Sequence, residues 1–186
     1  MNINSIKILF FLLIIALLSS CSSSVRFSSD TGNTESSGSA SSSIKKNRGS
    51  DNQAAIFERM NKSKLSDKQN TIISEAQKWL GTPYCWGGES QDCADCSGFV
   101  MEGFKKAGIM LPRTAQEQYS KGSSKSISSA KAGDLIFFKK GKKITHVGIY
   151  LGDGIFIHSS SSKGVIVQDL DSFGKSPEYA GIKSHL

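Results

Sequence analysis

The stretch "THVGIYLGDGIFIHSS", residues 145–160, decides the fold. Apolar side chains recur at alternate positions on both sides of Gly152-Asp153-Gly154, which is the pattern of two strands joined by a hairpin. With those three residues as the loop, Leu151 faces Ile155 and Gly148 faces His158. His146 and His158 then project from one face of the sheet, offset diagonally, at roughly 7–8 Å between α-carbons. Gly148 leaves space into which the His158 ring can lean. The pairing suits His146 as a general base and His158 as its orienter.

Downstream and just upstream, the same two-residue period continues in "DLIFF" (134–138), "GVIVQDL" (164–170) and "YAGIKSHL" (179–186). Before residue 122 the period is 3.6. Ser66 and Gln69 have capping-box spacing, and Ile72, Ile73, Ala76, Trp79 and Leu80 share one face, so a helix is expected over 67–80 with Gly81 as its stop. Asp95 is a good N-cap for a second helix. Phe99, Val100, Gly103, Phe104 and Ala107 form its apolar face, and Gly108 ends it. Thr114 and Glu117 cap a short third helix over 115–121. Helices first, then a meander of antiparallel strands, is an α+β pattern with the helices packed on an antiparallel β-sheet.

Between the first two helices lies a loop, "GTPYCWGGESQDCAD" (81–95). It carries Cys85 and Cys93, and Cys96 follows at the start of the second helix. A thiol there meets unpaired N–H groups and a partial positive charge, which lower its pKa and can hold an oxyanion. The chain has three histidines, and two of them are the strand pair above, so Cys96 with His146 and His158 is the candidate nucleophilic set. A zinc site would need a second Cys pair or would consume these histidines. A Cys93–Cys96 redox pair lacks its βαβ context. No metal and no cofactor is expected. A Cys85–Cys93 disulfide and two free thiols are both compatible with the spacing.

At the other end, Lys7 precedes the apolar run "ILFFLLIIALL" (8–18). As a helix it would span only about 16 Å, short of a bilayer core of roughly 30 Å, and it fits the apolar region of a signal peptide. "LSSC" (18–21) then resembles a bacterial lipobox. That resemblance implies a lipoprotein signal peptide over 1–20 and palmitate-type acylation at Cys21, giving membrane attachment through a lipid anchor. Ser22 is not an acidic retention residue, so in a cell with two membranes the outer one is favoured. Residues 21–60 are mostly Ser-rich and read as a flexible lipidated tether, with a short helix conceivable over 51–60. The folded domain is expected over 61–186. A net charge of +7 suits anionic polymers or headgroups, and equally a solvated Lys-rich surface. Export leaves no role for nucleic acid, and a monomer is expected.

"GTPYCWGG", "DCSGFV", "LPRTAQEQ", "AGDLIFF", "THVGIYLGDGIFIHSS" and "YAGIKSHL" together resemble, in order, the NlpC family of bacterial cell-wall cysteine peptidases. The resemblance covers about residues 66–186 and implies a papain-like α+β fold. It places the nucleophile on Cys96, the base on His146 and the third residue on His158. It also implies a substrate or oxyanion contact from Tyr84, and contacts from Asp95 and Ser97 toward a free stem-peptide amine. Asp95 as a plain helix cap is equally compatible. Arg113 can pair with a substrate carboxylate or form a structural ion pair. Cys85 and Cys93 stand at variable family positions. The implied function is a thiol protease acting on peptidoglycan peptides, at the γ-D-glutamyl–diaminoacyl bond or at crosslinks. The alternatives are a catalytically silent wall-binding lipoprotein on this fold and a papain-like acyltransferase or amidase.

Overall fold

The structure is a computed structural model that describes residues 48–173 and 177–186. The signal segment, the lipobox and most of the tether lie outside them. Among the described residues, four α-helices, α1 (Arg48–Lys62), α2 (Asp67–Lys78), α3 (Cys96–Lys106) and α4 (Ala115–Lys121), precede every strand of the sheet. The strands are β1 (Ser123–Lys125), β2 (Leu135–Lys140), β3 (Lys143–Gly152), β4 (Ile155–Ser160), β5 (Gly164–Asp169) and β6 (Glu178–Ser184).

Local chemistry accounts for the helix bounds. Ser66 and Gln69 form the expected capping box on α2, and Thr114 and Glu117 form the one on α4. Asp95 caps α3, and Gly108 follows its end at φ 75°. Helix α1 was expected only as a possible short helix in a tether ending at residue 60. It is instead part of the domain, because Ile56, Phe57 and Met60 form an apolar stripe buried in the main core. Each such side chain contributes up to about 1.5–3 kcal/mol on burial. The domain boundary therefore lies upstream of residue 61. Arg59 adds an exposed ion pair to Asp153 in the β3–β4 turn, at 3.3 Å.

The sheet runs β1-β6-β2-β3-β4-β5, with antiparallel neighbours throughout. This is not a plain meander, since β6 returns to pair with β2 instead of extending past β5. One face carries Leu135, Phe137, Val147, Ile149, Ile157 and Val165 into the main core with the helices. The other carries Ile136, Phe138, Tyr150, Phe156 and Ile182, a smaller cluster covered by Phe173. The strand period of two separates the sets.

The β3–β4 hairpin differs in detail from the sequence expectation. Its turn is Asp153-Gly154, both at positive φ (52° and 75°), the backbone of a tight two-residue turn. Gly152 pairs with Ile155, and Leu151 is an extra residue, a bulge. Beyond the bulge the register is the expected one, with Tyr150 opposite Phe156 and Ile149 opposite Ile157. Carried one step further, it sets Gly148 against His158. A Cβ on Gly148 would sit 3.1 Å from His158 Cβ.

Candidate active site

Pairing between β3 and β4 stops at Ile149 and Ile157. Past that point the segment leading into α3 takes up bonds from both strands. Ser159 Oγ on β4 donates to the Ala94 carbonyl at 2.8 Å, and the Val147 amide on β3 donates to the Cys96 thiol. The nucleophile candidate is thereby held at the splayed end of the hairpin, beside His146. Asp95 Oδ1 accepts from the Gly98 amide at 2.7 Å and fixes the first turn of α3. Fully buried Gln118 on α4 donates to the Ser97 carbonyl at 3.1 Å.

His146 and His158 lie on the sheet face opposite the main core, as the alternation predicts. Their rings meet edge to face, with His146 Nε2 and His158 Nδ1 2.7 Å apart. His158 Nε2 continues to Gln168 Oε1 at 3.1 Å. Phe173 lies nearly parallel to the His146 ring, with centroids 5.6 Å apart. Burial pushes His146 down to about 3, helped by the neighbouring His158. Burial likewise takes His158 down to about 4, against its bond to Gln168. Both rings are neutral at pH 7.

Cys96 departs from expectation. Burial pushes its thiol up to about 11, and the Asp95 charge adds to this, while amide donors from Val147, Ser97 and Cys96 itself act in the opposite direction. The donors are present as expected, but the cost of placing a thiolate in a site only 8% exposed outweighs them. The resting pair is neutral thiol and neutral imidazole.

Cys96, His146, Tyr84, Asp95, Ser97 and Arg113 all line one cavity of about 610 Å³. Thr145, His146 and Ser161 also border a second cavity, of about 350 Å³, with Lys140, Ser160 and Phe173. Tyr84 sits near the thiol, and its own pKa is raised by burial and then by Cys96 and Asp95.

Asp95 and Arg113 are committed to each other. Arg113 donates to both Asp95 oxygens, at 3.1 and 2.6 Å, and to Ser97 Oγ at 3.0 Å. Its Nε pairs with Glu89 at 2.5 Å. Asp95 also accepts from Ser97 Oγ and from the Gly87 amide, both at 3.0 Å. Asp95 thus serves as the helix cap and Arg113 as its ion-pair partner, and both also line the cavity that holds Cys96. Despite burial, these donors hold the Asp95 carboxyl below the usual range.

Cys85 and Cys93 form a disulfide, with α-carbons 5.4 Å apart, and Cys96 is free. Cys93 is therefore not a redox partner of Cys96. Sequence reasoning missed Gln168, Phe173, Glu89 and Trp86. The last is 91% exposed at the cavity rim. Only Gln168 left a signal, as a polar break in the run "GVIVQDL" on the strand next to His158.

Known proteins share this arrangement of chain and fold. The model of the NlpC/P60 family matches residues 81–184. The bifunctional muramidase/DL-endopeptidase CwlT of Bacillus subtilis is 51% identical over 112 residues, which are 57% of this chain and 33% of that protein. This chain therefore spans about a third of CwlT. The Escherichia coli protein named murein DD-endopeptidase MepS/murein LD-carboxypeptidase is 36% identical over 156 residues, 83% of this chain and 79% of that one. A crystal structure of a Staphylococcus aureus protein similar to lipoprotein, of the NLP/P60 family, superposes with a TM-score of 0.58 at 37% identity, covering 65% of this chain and 42% of that one. A family match over more than half the chain, together with a papain-like domain that seats a cysteine at a helix start beside a strand histidine pair, leads to one conclusion: the chain belongs to the NlpC/P60 family.

Proposed function

We propose that the protein is a cysteine peptidase that hydrolyses peptide bonds in peptidoglycan, with Cys96 as nucleophile, His146 as base and His158 as its orienter. The observation that carries this reading is the shared cavity of Cys96 and His146, backed by the 2.7 Å contact between the histidines. Sγ of Cys96 attacks the amide carbonyl as His146 takes the thiol proton, because both groups start neutral. The amides at the start of α3 would stabilise the developing oxyanion, with Tyr84, which lines the same cavity, as a further donor in this reading. The C–N bond breaks as His146 returns the proton to the leaving amine, and a thioester remains. His146 then deprotonates water, hydroxide attacks the thioester, the C–S bond breaks as His146 returns its proton to the Cys96 sulfur, and the peptide leaves as a carboxylic acid that ionises in solvent.

Two features bear on the substrate. Cavities on both sides of His146 suit a chain that runs through the site. The Asp95 charge is already met by Arg113, which favours a substrate without a free amine at that position. Both support cleavage within intact stem peptides or crosslinks. Attachment through acylated Cys21 would hold a monomer at the cell envelope, on the outer membrane where there is one. Incubating the full chain with purified muropeptides and reading the products by mass spectrometry tests the reading. New termini with wild type and none with Cys96→Ala are expected. Intact muropeptides with both would overturn it and favour the silent wall-binding alternative.

A further inference from the structure

Gln168, at the end of β5, has both ends of its amide engaged. Its Nε2 lies 3.2 Å from the Ser172 carbonyl, and its Oε1 lies 3.1 Å from His158 Nε2. The carbonyl can only accept, so the amide cannot be turned round without setting two oxygens against each other. The turn that supplies this carbonyl is itself fixed. The Asp171 amide donates to Asp169 Oδ1 at 2.8 Å, and Ser172 Oγ donates to the Asp169 carbonyl at 2.9 Å. The same turn carries Phe173 over His146.

A fixed acceptor at His158 Nε2 has consequences two rings away. His158 Nε2 must bear the hydrogen, so in the neutral ring Nδ1 is bare. His146 Nε2, 2.7 Å from that bare nitrogen, must then bear its own hydrogen, and His146 Nδ1 is left free. The opposite arrangement would leave a hydrogen on His146 Nδ1 and none of its ring nitrogens able to take the thiol proton. We infer that Gln168, oriented by the Ser172 carbonyl, is a positioning residue that selects the base-competent tautomer of His146 through His158. The inference rests on the peptidase reading for its catalytic consequence only, since the tautomers themselves exist without substrate.

Histidine-labelled full chain, with three histidines to assign, reports the tautomers directly by two-bond ¹H–¹⁵N correlation spectra at pH 8. The expected wild-type spectrum has the hydrogen on Nε2 of both His146 and His158. Gln168→Leu removes the acceptor, and a signal for hydrogen on His146 Nδ1 should emerge. Its kcat for muropeptide cleavage should fall roughly tenfold to hundredfold with KM unchanged, since Gln168 does not line the main cavity. Gln168→Glu keeps an acceptor for His158 Nε2 but sets a carboxylate oxygen against the Ser172 carbonyl, so it should restore the wild-type tautomer and only part of kcat. A wild-type spectrum with hydrogen on His146 Nδ1 would overturn the inference whether or not any variant folds. So would a folded Gln168→Leu protein with wild-type tautomers. Wild-type protein that shows the expected tautomers yet leaves muropeptides intact would remove the peptidase reading and keep the relay.

Discussion

Gly148→Ala would place a methyl carbon 2.8 Å from Phe156 Cδ2, 2.9 Å from the Ile157 carbonyl oxygen and 3.1 Å from His158 Cβ. Carbon contacts are ordinarily about 3.5–4.0 Å, so β4 must move away by at least roughly half an ångström. Such overpacking costs about 1–3 kcal/mol, which in a domain of this size lowers Tm by roughly 3–10 °C. His158 rides on β4, so the same movement stretches its 2.7 Å bond to His146. Weakening the orienter without removing the base should lower kcat about 10- to 100-fold. Gly103→Ala is the matched control. Its new Cβ would meet Ile149 Cδ1 at an ordinary 3.7 Å, and alanine gains up to about 1 kcal/mol in a helix interior. Thermal unfolding and steady-state muropeptide cleavage of both variants decide the matter. A Gly148→Ala protein with the melting point and kcat of wild type would refute the idea that close strand approach seats His158.

Replacing Cys85 and Cys93 together by Ser should cost about 2–3 kcal/mol in urea denaturation, as expected for so short a loop, and leave cleavage within a few-fold of wild type at a temperature where both are folded. His185→Ala should retain most activity, since the ring bonds to the Gln118 carbonyl and packs on Phe104 outside the main cavity. A loss comparable to that of His146→Ala in the same assay would reverse the role assignment. Alkylation of Cys96 by iodoacetamide, followed on its own proteolytic peptide, should keep rising beyond pH 10, because the buried thiol ionises near 11. A plateau below pH 8 would mean a resting thiolate–imidazolium pair.

What could be read from the sequence was whatever depends on period and parity. The histidines' common face follows from alternation, and it survived an error in the turn because the Leu151 bulge absorbs the extra residue before the register reaches Gly148. Caps at Ser66, Asp95 and Thr114 were legible because their chemistry is local. The Asp95–Arg113 pairing joins residues 18 apart, and spacing alone left its alternatives open. The thiol pKa was misjudged because a helix start is visible in sequence and the burial around it is not. Helix α1 was undervalued for a related reason, since Ile56, Phe57 and Met60 gain meaning only when a core is there to receive them.

The bond from Ser159 to the Ala94 carbonyl closes a span of 65 residues. Cys96 and the two histidines meet only when the hairpin end and the loop before α3 have docked. Closing so long a span carries a loop-closure entropy that slows folding. On the peptidase reading, a chain that has not yet folded would therefore be inert in cleavage. In refolding experiments the thiol should meet its base, and cleavage should return, no sooner than the Val147 amide, which donates to Cys96, becomes protected from hydrogen exchange.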